Sequence, residues 1–144
     1  MMKVWAYVHP ELKVLCCALL PEAVPEGVRA IEVEVESPDD VVLDNGRIRL
    51  KTEAEKFAEE KQKKFLELKN YVASLLVPTD YIVTKIAEAQ IRGDVEEVEM
   101  LKQRYEEQLQ RREAIRQWNE QMEQVIENAA SLEELREIVI KFEG

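Results

Sequence analysis

Val41-Val42-Leu43-Asp44-Asn45-Gly46-Arg47-Ile48-Arg49-Leu50-Lys51-Thr52-Glu53-Ala54-Glu55 decides the fold class, because two kinds of secondary structure meet in it. Two short β-prone runs, Val41 to Leu43 and Arg47 to Leu50, flank Asp44-Asn45-Gly46. Asn-Gly tolerates positive φ, the geometry of a tight antiparallel turn, so this run predicts a hairpin. Thr52 and Glu55 then have capping-box spacing, in which each side chain satisfies the other residue's otherwise orphan backbone N–H. A hairpin followed at once by a capped helix predicts an α+β chain. Residues 1–51 are expected to form a small antiparallel β-rich domain, and residues 52–144 a domain of long antiparallel or coiled-coil-like helices.

Upstream of Lys51 lie Pro10, Pro21, Pro25 and Pro38, with Gly27 and Gly46. Downstream, neither residue occurs from Thr52 to Val77 or from Asp94 to Glu143, a contrast of turn-rich strands against uninterrupted helices. Ile31, Val33 and Val35 alternate with Glu32, Glu34 and Glu36, the pattern of a half-buried strand. Val4 to Val8 predicts another strand, ended by His9-Pro10. The continuous apolar run Val14 to Leu20 predicts one covered on both faces. Four or five such strands make a marginal core by themselves, so they are expected to pack on a helix or another chain.

Helices are predicted over about 52–77, 80–92, 94–130 and 131–142. Pro78 ends the first and Gly93 the second. Asp94 with Glu97, and Ser131 with Glu134, repeat the capping spacing. Phe65, Leu68, Val72 and Leu75 form one apolar stripe; Ile82, Ile86 and Ala89 form the next. The third helix would be on the order of 50 Å long at ~1.5 Å per residue. Along it, Val98, Leu101, Tyr105, Gln108, Arg112, Ile115, Asn119, Met122, Ile126 and Ala129 fall on a heptad seam with a polar middle. Either this helix folds back on the first, with Leu109 and Trp118 broadening the stripe, or the seam pairs two chains and Gln108, Arg112 and Asn119 set the register.

Catalytic chemistry has little to build on. His9 is the sole histidine and precedes a proline, so it reads as a turn residue. Cys16 and Cys17 are adjacent; a bond between them would be strained, and they read as small apolar strand residues in a reducing compartment. No phosphate-binding glycine loop or zinc-ligand spacing occurs. Glu96, Glu97 and Glu99, like Glu133, Glu134 and Glu137, suit the first turns of helices through the helix dipole. Asp39, Asp40, Asp44 and Asn45 are accounted for by turn chemistry. Lys61, Lys63 and Lys64 lie among glutamates as a salt-bridge face. The reading is of a protein that is not an enzyme and needs no cofactor or metal. The formal net charge of −10 repels phosphate backbones and anionic lipid, so neither nucleic acid nor membrane is an expected partner. Met1-Met2-Lys3-Val4-Trp5 does not resemble a secretory leader. On one strand face, Trp5 and Tyr7 stand opposite Val4, Ala6 and Val8, as core or as a docking face.

Pro78-Thr79-Asp80-Tyr81-Ile82-Val83-Thr84-Lys85-Ile86-Ala87-Glu88-Ala89 is similar to a stretch in small tail-region proteins of phages and prophages of Gram-positive bacteria, XkdW-like proteins among them. In that group an Asp-Tyr run of this type precedes a helix with spaced arginines and an Asn, here Arg112, Arg116, Asn119 and Glu123. The resemblance covers about residues 78–130 and not the β-rich region or the first helix. It implies a non-catalytic role near tail fibres, as a minor structural component or an assembly chaperone, in the host cytoplasm or the virion. The partner would be a protein such as a tail-fibre chain, with homo-oligomers through the helices a further expectation. If Lys85, Glu88, Arg112 and Arg116 share a role, it would be a buried polar network between the second and third helices. The alternative is a host helical adaptor or regulator that binds a basic protein.

Overall fold

Asn45 (φ 49°) and Gly46 (φ 79°) both adopt left-handed backbone conformations and close the hairpin of β4 (Val41–Asp44) and β5 (Arg47–Leu50). The chain then enters α1 (Glu53–Leu76) through the predicted box: Glu55 N–H donates to Thr52 Oγ1 at 3.2 Å, and Thr52 N–H donates to Glu55 Oε1 at 3.3 Å. Arg49 reaches the same carboxylate at 2.8 Å. Its hydrogen bond, ahead of that from Thr52, holds the Glu55 carboxyl below the usual range.

The structure, a computed structural model, describes residues 1–144 and has the α+β class. It forms two units, Met1–Lys56 and Phe57–Gly144, which divide within the first turn of α1. In the first unit, β1 (Met2–Val8) is the centre of a three-stranded antiparallel sheet, flanked by β2 (Leu15–Ala18) and β3 (Ile31–Val35). Val4 and Ala6 are buried on one face, where Val35 and Val41 join them and where Leu15, Cys17, Val33 and Ile48 pack. The hairpin thus shares a core with the sheet without pairing to it. Trp5 and Tyr7 lie half-buried on the other face. The Val14–Leu20 run is not covered on both faces: β2 is an edge strand, and Val14, Leu19 and Leu20 are exposed. A continuous apolar run does not itself specify two covering layers, and here one suffices.

The second unit holds the rest of α1, α2 (Asp80–Arg92), α3 (Val95–Arg104), α4 (Glu106–Glu127) and α5 (Leu132–Glu137). A single 3-10 turn, Val77–Thr79, carries the chain past Pro78 from α1 into α2. Gly93 ends α2 at φ 73°, its N–H bonded back to Ala89 and Gln90 carbonyls. Asp94 then caps α3 by accepting the Glu97 N–H at 3.1 Å. Gly93→Ala is expected to cost about 1 kcal/mol, because an L side chain disfavours this backbone conformation. A Cβ there meets nothing within 4 Å, so the penalty is conformational alone. It should appear as a melting temperature lower by about 4–8 °C.

Two expectations fail here. The predicted single helix over 94–130 is two helices, broken at Tyr105 (φ −110°, ψ 24°) with no glycine or proline present. The cause is tertiary. Val98, Leu101 and Tyr105 close one core with Ile82 and Ala89 of α2, and Tyr105 meets the Tyr81 ring edge-on at 5.9 Å. Trp118, Met122 and Ile126 instead join Leu68, Phe65 and Val72 of α1 in a second core. One straight stripe cannot serve both, and the backbone reorients at the residue that finishes the first. The last helix, expected over 131–142, ends at Glu137. Ile138-Val139-Ile140 is β-branched, and the chain leaves α5 in extended form at Ile138 (φ −66°, ψ 119°).

Candidate interaction site

Side chains from three helices leave a groove across the Tyr105 break, of about 690 Å³. Its floor is apolar: Val83, Ile86 and Ala87 from α2, and Leu109 from α4. These positions follow from helical spacing. Ile82, Ile86 and Ala89 turn toward α3, and Val83 and Ala87 sit one step round the same cylinder, at the edge of the covered face. Val83 is 40 % exposed. Polar side chains complete the lining: Gln90 from α2, Lys102 and Gln103 from α3, and Glu106, Gln110 and Glu113 from α4. Glu106 accepts from Gln110 and Glu113 from Gln117, so α4 holds both carboxylates along its surface.

The proposed seam is mostly used within the chain. Val98, Leu101 and Tyr105 are buried against α2; Ile115 and Ile126 are buried; Met122 and Ala129 pack on the α1 core. Gln108 is half-buried, and Asn119, also half-buried, donates to Glu123 of its own helix at 3.1 Å. Helix α4 runs antiparallel to α1: Lys61 meets Glu127, Tyr71 meets Trp118, and Arg112 reaches the Leu76 carbonyl. Within the chain, α1 and α4 form the hairpin of the first reading.

The proposed network of Lys85, Glu88, Arg112 and Arg116 does not assemble. Lys85, Glu88 and Arg116 are exposed, with the Lys85 ammonium 5.6 Å from the Tyr81 ring centroid. Lys85 and Glu88 flank the inward Ile82–Ile86–Ala89 stripe rather than lying on it. Arg112 alone is buried, at 6 % exposure. Its Nη1 donates to the Leu76 carbonyl at 2.8 Å and to Thr79 Oγ1 at 2.7 Å, and lies 3.0 Å from Asp80 Oδ1. Thr79 and Asp80 stand at the start of α2. Their link to a residue over thirty positions away has no local signal.

The groups with most chemical potential sit in structural roles. His9 Nδ1 accepts the Leu12 N–H at 3.0 Å and the Glu11 N–H at 3.2 Å, which fastens the turn after β1. Burial first, then the adjacent Cys16 and Asp39, push the Cys17 thiol up, which disfavours the nucleophilic thiolate. Burial and then Cys16 likewise raise the Tyr7 hydroxyl. No three His, Cys, Asp or Glu side chains converge as a metal site, and no helix is long and apolar enough to cross a membrane. No protein-family model, curated protein or solved structure matches the chain.

Proposed function

We propose that the chain is a non-catalytic phage or prophage tail-associated protein, structural or assembly-assisting, that works by docking a helix of a tail-fibre chain in the α2–α4 groove. The observation that carries the docking role is the apolar floor of that groove, with the exposed Val83 at its edge. A groove of this kind suits an amphipathic helix whose apolar face enters while its flanks meet the rim. Glu106 and Glu113 favour lysine or arginine on one flank. The tail assignment itself rests on the resemblance over residues 78–130.

A second reading, a host adaptor for a basic protein, is favoured by the same acidic rim and by the net charge of −10. Co-expression with the product of a neighbouring tail-fibre gene separates the two. Under the first reading the fibre chain co-purifies, and Val83→Glu weakens the complex by at least about tenfold, since a charge then enters an apolar contact. Retention of basic host proteins, with no fibre chain, would favour the second. Equal retention by Val83→Glu and the parent chain would remove the groove from either account.

A further inference from the structure

Strand β2 forms one of the two free edges of the three-stranded sheet. The His9 N–H donates to the Val14 carbonyl at 2.8 Å, which sets the phase of the β1–β2 ladder. His9 with Val14, Tyr7 with Cys16 and Trp5 with Ala18 are its hydrogen-bonded pairs, and Val8–Leu15 and Ala6–Cys17 are the non-bonded pairs between them. The N–H and C=O groups of Leu15 and Cys17 therefore point away from β1, out of the edge. No group of the chain pairs with them. They stand at alternate residues, the spacing at which an added antiparallel strand makes its bonds.

The two edges of this sheet differ in charge. Strand β3 carries Glu32 and Glu34, with Glu36 just beyond it. From Val14 to Pro21 there is no charged residue, although the chain as a whole has a net charge of −10. Strand β2 thus lacks the charges that ordinarily guard an edge against pairing. Val14, Leu19 and Leu20 are exposed beside its free groups. The nearest charges outside the run are Lys13 at one end and Glu22 at the other, both exposed. Antiparallel pairing of two copies turns the lysine end of one strand toward the glutamate end of the other, whereas parallel pairing sets like against like.

We propose that β2 is a dimerisation edge, on which a second copy of this chain pairs its own β2 antiparallel, with Cys16 opposite Cys16 on the two-fold axis. In that register Leu15 meets the partner subunit's Cys17 as a hydrogen-bonded pair on each side of the axis. The free groups of each copy are then satisfied by the identical groups of the other. A strand of another protein has to match this register by its own sequence, whereas a second copy matches it by symmetry. Three strands joined to three give a sheet of ordinary size, in place of one that is marginal alone. Both outer edges of the joined sheet are then the acidic β3, so the assembly closes at two copies. The proposal concerns the Met1–Lys56 unit and does not rest on the α2–α4 groove.

The test begins with the full, unsubstituted chain. Sedimentation equilibrium is expected to show monomer and dimer and no larger species. Hydrogen exchange followed by NMR is expected to find the Leu15 and Cys17 amides protected where dimer dominates and unprotected on dilution. The Cys16 and Ala18 amides, bonded to β1, should stay protected in both. Diamide is expected to join two copies through Cys16, because a non-hydrogen-bonded pair sets its Cα atoms about 4.5 Å apart. Cys17→Ser should keep that covalent dimer and Cys16→Ser should lose it. Cys16→Lys and Cys16→Glu should each weaken the dimer at least about tenfold by opposing like charges, and mixing the two should restore it. A chain that stays monomeric at its highest soluble concentration would overturn the proposal. So would a dimer whose Leu15 and Cys17 amides exchange freely, a cross-link through Cys17 instead of Cys16, or folded charge variants that do not pair when mixed.

Discussion

Arg112→Ala is expected to destabilise the helical unit by about 3 kcal/mol, near the lower end for breaking a buried charged contact. The melting temperature should fall by roughly 12–24 °C at about 4–8 °C per kcal/mol for a unit of this size. One guanidinium nitrogen donates to the Leu76 carbonyl and Thr79 Oγ1 and pairs with the Asp80 carboxylate, at the junction where Pro78 interrupts the helical hydrogen bonds. Its loss leaves the Leu76 carbonyl with the Thr79 hydroxyl alone, at 3.2 Å, and opens a hole in the α1–α4 contact. The ion pair with Asp80 is the lesser component, because that carboxylate is 56 % exposed and screened by solvent. Asp80→Asn should accordingly cost under about 1 kcal/mol. Thermal or urea denaturation that ranks Asp80→Asn as the more damaging change would reverse this assignment.

Leu135→Ala is expected to cost about 3 kcal/mol for a fully buried leucine, but to act locally. Leu135 has no exposed surface and packs against Leu68 and Ile126. It is also the one buried residue of α5, which at six residues is too short to persist undocked. Amides from about Ser131 onward should therefore lose exchange protection while those of α1 and α4 largely keep theirs. The distinction is measurable by hydrogen exchange with mass spectrometry. Uniform loss across the helical unit would mean that α5 is an integral part of its core.

How much of this was legible in sequence depends on how far each signal travels. The hairpin at Asn45-Gly46 and the caps at Thr52, Asp94 and Ser131 are contained within four or five residues, and they stand where read. The break at Tyr105 has no local mark; it follows from which core each half of the stripe joins. The end of α5 was half legible. Ile138, Ile140 and Phe142 alternate as in a strand, but Leu132, Leu135, Ile138 and Val139 also satisfy a helical period, and the two patterns overlap at Ile138. The groove on α2 and α4 could not be anticipated, because its lining spans the break at Tyr105 between α3 and α4. Arg112 was recognised as unusual on an apolar seam, yet its partners Thr79 and Asp80 come from a distant turn that only folding brings near.

Strand β3 is an unpaired edge of the small sheet, and its outward residues include Glu32 and Glu34. Exposed edges are templates on which strands of other molecules add, the usual start of sheet-mediated aggregation. If a second β3 stacked in register on this one, strands about 4.8 Å apart would set glutamate against glutamate at both positions. Lys3, 3.2 Å from Glu32, is an internal neighbour that offsets part of one charge only. The acidic alternation that marks β3 as a strand thus also opposes growth of the sheet at that edge.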